Sequence, residues 1–157
     1  MNITIRAPET DADFESLAQL AGQLAQFHHE DLCPNPNKLK ADRDWFSSRI
    51  VSIGNADIGF VGWHKLYACQ SAERAMELQN IFVKPEFRGK GIGFRLILEV
   101  IDDALVHNCA EIKIGLRKGN IEALEFYKML GCTVIDRNDS WRCKLKRSDM
   151  ERIVSKK

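Results

Sequence analysis

The segment Val83-Lys84-Pro85-Glu86-Phe87-Arg88-Gly89-Lys90-Gly91-Ile92-Gly93-Phe94 joins a strand-like run to a helix-like one. Its glycines at 89, 91 and 93 let the backbone turn tightly and approach a ligand with no side chain between. The free N–H groups of the following helix point at such a ligand, and the helix dipole favours negative charge there. Arg88 and Lys90 add two cations. The segment predicts a phosphate or pyrophosphate site. It is not a nucleotide P-loop, because no Lys-Ser/Thr follows the last glycine. It is not the dinucleotide fingerprint, because the glycines read GxGxG and no acidic residue ends a second strand about 20 positions on. The alternative is a glycine-rich turn with chance basic neighbours.

Upstream of this segment, residues 3–7 alternate as a short strand and Pro8 ends it. Asp11 or Asp13 is expected to cap a helix whose apolar face is Phe14, Leu17, Ala18, Ala21, Leu24 and Ala25. Cys33-Pro34-Asn35-Pro36-Asn37 reads as a loop. A second helical stretch is predicted over roughly 39–49, with Trp45 and Phe46 as its large apolar residues. Ile50 to Ile53 and Ile58 to Cys69 read as paired strands, joined at Gly54-Asn55-Ala56-Asp57 by a turn longer than the simplest two-residue kind. Gln70 to Arg74 breaks the pattern, and a strand runs from Met76 to Lys84.

Downstream, Ile92, Leu96, Val100 and Ala104, with Ile97, Ile101 and Leu105, form one helical face. Ile112 to Leu116 is a short strand. Residues 121–130 form a helix, with Gly131 at its C-terminal glycine position. Strands at about 132–136 and 141–146 flank the turn Arg137-Asn138-Asp139-Ser140. The tail from 147 adds a helical turn or two around Met150, Ile153 and Val154.

The chain has 157 residues, of which 45% are hydrophobic and 29% charged, as expected for one folded domain. A net charge of +1 argues against a dedicated nucleic-acid-binding domain. No stretch approaches the roughly 18 apolar residues of a membrane span. Met1 to Arg6 shows no basic region followed by an apolar run, and reads as the start of the fold rather than a signal peptide. The five cysteines, 33, 69, 109, 132 and 143, are odd in number and form no CxxC pair. A disulfide framework or zinc site is therefore not expected, and a reducing cytoplasm is.

Two blocks carry a family resemblance. Arg88-Gly89-Lys90-Gly91-Ile92-Gly93 resembles the (Arg/Gln)-x-x-Gly-x-(Gly/Ala) signature of the GCN5-related N-acetyltransferase (GNAT) family. Asn120 to Cys132 resembles the family's Asn-x-x-Ala-x-x-Phe-Tyr-x-x-x-Gly-Phe block. The blocks lie in the family's order, and the resemblance covers nearly the whole chain. It implies an α/β (α+β) fold: a central, mixed, mostly antiparallel twisted sheet of about 6–7 strands with helices on both faces. The implied order is β-α-α-β-β-β-α-β-α-β-β.

The resemblance also implies acetyl-CoA as co-substrate, no metal, and transfer of the acetyl group to an amine. The pyrophosphate would meet backbone amides of Arg88, Gly89, Lys90, Gly91, Ile92 and Gly93. The pantetheine would pair like an extra strand with Ile81, Phe82 and Val83, and a backbone N–H near Val83 would hold the acetyl carbonyl. Asn120, Ala123 and Tyr127 complete the coenzyme side. Tyr127, with an ordinary phenol pKa near 10, can protonate a leaving thiolate of pKa about 8.5; its alternative role is a core aromatic. For the base, Glu77 can act through water and Gln79 can orient a water, since both share a strand face. His28, His29, Glu30 and Asp31 follow the first helix and are candidates for a lip at the acceptor site. Adjacent histidines do not share a helical face, so they are not a metal pair.

Within the family, Val61 to Ile153 looks most like the diamine (spermidine/spermine) acetyltransferase branch. That branch has Leu-Glu-Asp where this chain has Leu78-Gln79-Asn80, so a polycation loses two charge-assisted contacts here. The expected reaction is transfer from acetyl-CoA to the primary amine of a small molecule, by direct attack on the thioester. The alternatives are a protein lysine or N-terminal acetyltransferase and a non-catalytic acetyl-CoA-binding sensor. A homodimer is expected by resemblance. The near-neutral total hides patches: residues 84–95 carry a local +3, residues 1–31 a local −5 and residues 137–157 a local +5. The acidic patch favours a cationic acceptor.

Overall fold

The computed structural model describes residues 1–156. In chain order the elements are β1 (Ile3–Arg6), α1 (Asp11–Phe27), α2 (Pro36–Ala41), β2 (Ser47–Ile53), β3 (Ala56–Ala68), β4 (Glu73–Val83), α3 (Ile92–Val106), β5 (Glu111–Arg117), α4 (Ile121–Met129), β6 (Thr133–Arg137), β7 (Ser140–Lys146) and α5 (Arg147–Ser155). The seven strands form one sheet in the order β1-β2-β3-β4-β5-β7-β6. The β4–β5 pair is parallel, whereas β1–β2, β2–β3, β5–β7 and β6–β7 are antiparallel. This is the mixed, mostly antiparallel sheet expected from the sequence.

Contacts divide the chain into two compact units, Met1–Trp63 with Asn80–Ile97, and His64–Gln79 with the described residues from Leu98 onward. In the first unit, Phe14, Leu17, Leu20 and Leu24 of α1 pack on Ile50, Phe60 and Phe82 of the sheet. Those α1 residues recur at helical spacing, so burial follows directly from the sequence period. In the second unit the sheet alternates. Met76, Leu78, Ile112, Ile114, Leu116, Cys143 and Leu145 are buried, while Glu77, Lys113, Lys144 and Arg142 keep partial exposure.

Three local expectations are corrected. The cap of α1 is Thr10: its hydroxyl accepts from the Asp13 amide, while the Asp13 carboxylate accepts from the Thr10 amide, a reciprocal capping box. The second helix starts earlier and is shorter than 39–49, because Asn35 caps it and Pro36 occupies its first position. A 3₁₀ turn at Arg43–Trp45 follows, and Ser47 already pairs with Trp63 in the sheet. Trp45, one of the large apolar residues of the expected helix, is 83% exposed. Finally, the β2–β3 turn has only two residues, Gly54 and Asn55, because Ile53 pairs with Ala56. Gly54 takes φ +58°, and a register shift at Val51/Ser52 absorbs the residue that made the turn look longer.

The first unit also holds a charge cluster. Arg6 donates to Asp13 and, through both terminal nitrogens, to Asp57, which also accepts from Ser52. Burial opposes charge on Asp13, but the Glu9 and Thr10 amides and the Arg6 guanidinium outweigh it and hold the carboxyl at about 2. Asp57 is likewise held below its usual range: burial opposes charge, and Arg6, Ser16 and Ser52 overcome it. Groups with depressed pKa stabilise the fold above the unfolded value near 4, and that stability is lost as pH falls from about 4 toward 2. Asp13→Asn is therefore expected to cost about 1–2 kcal/mol at pH 7 and almost nothing at pH 2. Urea unfolding at the two pH values measures the difference.

Candidate functional site

The first unit carries the glycine segment at the end of β4. The Lys84 amide donates to the Ile58 carbonyl at 2.9 Å, and a 3₁₀ turn at Pro85–Phe87 reverses the chain. Gly89 and Gly91 take φ +75° and +78°, which side chains rarely adopt. A Cβ built at Gly89, Gly91 or Gly93 meets nothing within 4 Å, so the space beside the turn is open. The Arg95 amide donates to Gly91, within the first turn of α3. The amides of that turn's leading residues have no carbonyl partner within their own helix and are available to an anion.

Arg88 has a second job beyond its charge. Its Nε donates to the Val83 carbonyl at 2.8 Å, and its guanidinium lies over Phe27 at 5.0 Å and Phe82 at 5.7 Å. It thus braces the turn against the end of β4 and the end of α1. Lys90 lies over the Phe87 ring at 5.6 Å.

Ile81, half-buried, and Phe82 and Val83, buried, form the last residues of β4. The β4–β5 ladder closes at Leu78↔Ile114, yet β4 continues to Val83. Gly59 of β3 supports this end: a Cβ there would stand 2.5 Å from the Phe82 carbonyl oxygen and 3.2 Å from the Val83 Cα. Both neighbours are backbone, which cannot swing aside. Gly59→Ala is expected to lower stability by about 1–3 kcal/mol, read as a drop in thermal midpoint. This close approach has no signature in the local sequence.

His28, His29, Glu30 and Asp31 lie directly after α1. The His29 amide donates to Gln26 and the Glu30 amide to Ala25, with His29 at φ +59°, a Schellman ending built on histidine instead of glycine. His28 stands edge-on to Phe27 at 5.3 Å, and Phe27 is the ring under Arg88.

In the second unit, Asn120 caps α4, its side-chain oxygen accepting from the Ala123 amide at 3.3 Å. Tyr127 is 2% exposed. Burial pushes its phenol well above the usual value, with the Cys132 and Cys143 thiols adding to the effect. Burial also lifts the Cys132 thiol to about 12, helped by Cys143 and Asp149. Gly131, at φ +95°, and the Cys132 amide bonded to the Tyr127 carbonyl end α4 in a second Schellman motif. Glu77 meets Arg142 of β7 at 3.5 Å. Gln79 is exposed, and its Oε1 lies 3.2 Å from His64 Nε2. His64 went unnoticed in the sequence because it stands alone in a strand, with no motif around it. Among the described residues, no cluster of three metal-ligating side chains is present, and no helix is long and apolar enough to cross a membrane.

Comparison with known proteins fits this geometry. Thialysine N-epsilon-acetyltransferase from Bos taurus is 36% identical over 70 residues, which cover 45% of this chain and 41% of that protein. An uncharacterized N-acetyltransferase from Methanocaldococcus jannaschii is 33% identical over 94 residues, covering 59% of this chain and 41% of that protein. Across the bovine, porcine and murine thialysine enzymes the match spans 41–52% of their length, so the chain spans about half of these curated relatives. Among solved structures, yncA from Salmonella typhimurium with its cofactor acetyl-CoA superposes at TM-score 0.75 and 18% identity, over 92% of this chain and 94% of that one. The PaiA N-acetyltransferase from Thermoplasma acidophilum with coenzyme A gives TM-score 0.73 at 19% identity, over 93% and 99%. These structural likenesses show the fold. A model of the acetyltransferase (GNAT) family matches residues 14–132, well over half of the sequence, and the chain belongs to that family.

Proposed function

We propose that this chain is an N-acetyltransferase that takes its acetyl group from acetyl-CoA and passes it to the primary amine of a small molecule. The observation that carries the reading is the junction of β4 with α3. Two left-handed glycines open a space free of side chains, beside helix-leading amides that have no partner in their own helix. That is a fit for a pyrophosphate. The backbone of Arg88 to Gly93 holds it in this reading. Ile81, Phe82 and Val83 hold the pantetheine, supported by the continuation of β4 past the last β5 pair. A backbone N–H near Val83 steadies the acetyl carbonyl. Asn120, Ala123 and Tyr127 are assigned to the coenzyme on the family resemblance alone.

Bound there, acetyl-CoA supplies a thioester whose carbonyl carbon is open to an amine nitrogen, with a thiolate as leaving group. Tyr127 is held neutral by burial across the whole working pH range. It therefore serves first as a hydrogen-bond donor to the sulfur, stabilising the charge that develops there. Complete proton transfer from it becomes favourable only in so far as the same burial raises the sulfur's own pKa.

The acceptor is proposed to be a small amine of the thialysine type. The names of the curated relatives support this, as do the neutral Gln79 and Asn80, which offer a polyamine no carboxylate. His28, His29, Glu30 and Asp31 are proposed to form the lip on that side, their two carboxylates suiting a cation. Five free cysteines, two of them exposed, support a reducing cytoplasm. A homodimer is proposed on family resemblance, with light scattering as its check.

Thiol release from acetyl-CoA, measured against a panel of thialysine, lysine, spermidine and a short peptide, tests the reading. Turnover of thialysine or lysine is expected, with spermidine slower. Tight acetyl-CoA binding without turnover of any amine would make the chain a sensor and end the enzyme reading.

A further inference from the structure

An amine acceptor arrives as an ammonium with a pKa of about 10.4, and some group has to take its proton before the nitrogen can attack. Neither strand position read from the sequence does this readily. Gln79 has no basic atom, and Glu77 is already paired with Arg142 at 3.5 Å. The structure supplies a third group on the same sheet face. His64 of β3 places Nε2 3.2 Å from Gln79 Oε1, and its Nδ1 lies 3.4 Å from the Lys65 carbonyl. The imidazole is half-buried, and Gln79 is exposed.

We propose that His64 is the general base of this acetyl transfer, held in place by Gln79. The inference rests on the acetyltransferase reading above and deepens it by naming the proton acceptor. Both atoms facing the ring are oxygens that only accept, so the arrangement suits an imidazole that has gained a proton and donates from both nitrogens. Gln79 also suits the state before: turned over, its amide NH₂ donates to the lone pair of Nε2. A carboxylate at position 79 offers no donor, and would favour the charged imidazole over the neutral one that can act as a base. The amide at this position, which weakens the case for a polyamine, is thus the partner that a histidine base needs.

The proton balance closes. The ammonium gives one proton to His64 Nε2 through one water that displaces the Gln79 amide from the lone pair, leaving a neutral amine. The nitrogen forms its bond to the carbonyl carbon as the carbon–sulfur bond breaks. The second nitrogen proton leaves as the amide forms and ends on the sulfur. His64 then returns its proton to solvent, so the net products are the acetamide, the thiol and one proton. Gln79 stands two residues before Ile81 on β4, roughly 7 Å along the strand, which keeps the base close to the proposed pantetheine track. The charged groups on this sheet face include Glu77 of β4, Glu111 and Lys113 of β5, and Arg142, Lys144 and Lys146 of β7; on β3 itself the sequence neighbour is Lys65. Glu77 is neutralised by Arg142.

The test uses His64→Gln and His64→Ala beside the unaltered protein, with acetyl-CoA and thialysine as probes. Expected is a 10²- to 10³-fold fall in kcat, with the acetyl-CoA Kd by calorimetry within twofold of the starting value. The acidic limb of the kcat/KM profile disappears in both variants, and added imidazole restores part of the rate to His64→Ala. Independently of turnover, the His64 ring resonance followed by NMR in Gln79→Glu titrates at least one pH unit higher than with glutamine in place. Variants that keep both the rate and the acidic limb overturn the assignment of His64 and leave the acetyltransferase reading intact. An unmoved ring titration in Gln79→Glu overturns the role of Gln79 as its partner. Absence of thiol release by the unaltered protein overturns both.

Discussion

Arg88→Glu combined with Gly91→Asp is expected to weaken acetyl-CoA binding at least 100-fold by calorimetry. Three losses converge at one turn. Gly91 sits at φ +78°, where a side chain costs about 1–2 kcal/mol, so the turn opens or strains. An aspartate there faces the amides that would otherwise meet phosphate oxygens, and competes for them as an intramolecular anion. Arg88→Glu removes the brace that ties the turn to the Val83 carbonyl and to the Phe27 and Phe82 rings, and it reverses a charge beside a dianionic group. A charge-assisted contact is worth about 1.5–3 kcal/mol and each 1.4 kcal/mol is tenfold, so a 100-fold loss is the lower bound of what these changes add up to. A thermal melt separates lost binding from lost folding. Because all three glycines face open space, the pair is expected to fold. Unchanged affinity in a folded variant would remove the phosphate site from the proposal.

Tyr127→Phe is expected to lower kcat by about 10²–10³-fold while leaving acetyl-CoA affinity nearly unchanged. The change deletes one oxygen from a ring that is almost wholly buried, and it leaves the packing of α4 intact. The hydroxyl is held neutral by burial, so it is a hydrogen-bond donor at every working pH. In the proposed role its contribution is greatest when charge develops on the leaving sulfur, and small in the ground state, which is what separates an effect on kcat from one on Kd. The pH profile gives a further check. The phenol does not titrate below about pH 10, so no basic limb belonging to Tyr127 is expected in that range. Equal rates for the two proteins would leave Tyr127 as a core aromatic.

Much of this was legible in one dimension. The helical spacing of Phe14, Leu17 and Leu24, and of Ile92, Leu96 and Val100, located α1 and α3. These patterns work because a helix that buries one face must repeat it at the helical period. The stops were equally readable where a single residue type is demanded, as at Gly131. The misreadings fall where local rules compete. Trp45 and Phe46 extended a helical pattern that Ser47 ends by pairing with Trp63, a partner sixteen residues away that no local window contains. The hairpin turn looked long because a register shift one pair earlier moved its residues out of phase. Asp11 and Asp13 looked like caps, whereas Thr10 takes the cap and Asp13 answers it.

The sequence by itself determined the positions of α1, α3 and the glycine turn between β4 and α3, because these depend on apolar periods and on backbone freedom at glycine, which are properties of consecutive residues. Tertiary structure alone decided three things. Gly59 is indispensable because the backbone of Phe82 lies against it, twenty-three positions later in the chain. Arg88 is a brace as well as a charge, because the end of α1 brings Phe27 beneath it. His64 meets Gln79 only because β3 and β4 are neighbours in the sheet, fifteen residues apart in sequence. A hydrogen bond needs its two groups within about 3.5 Å, and the distance between residues on neighbouring strands is set by sheet register.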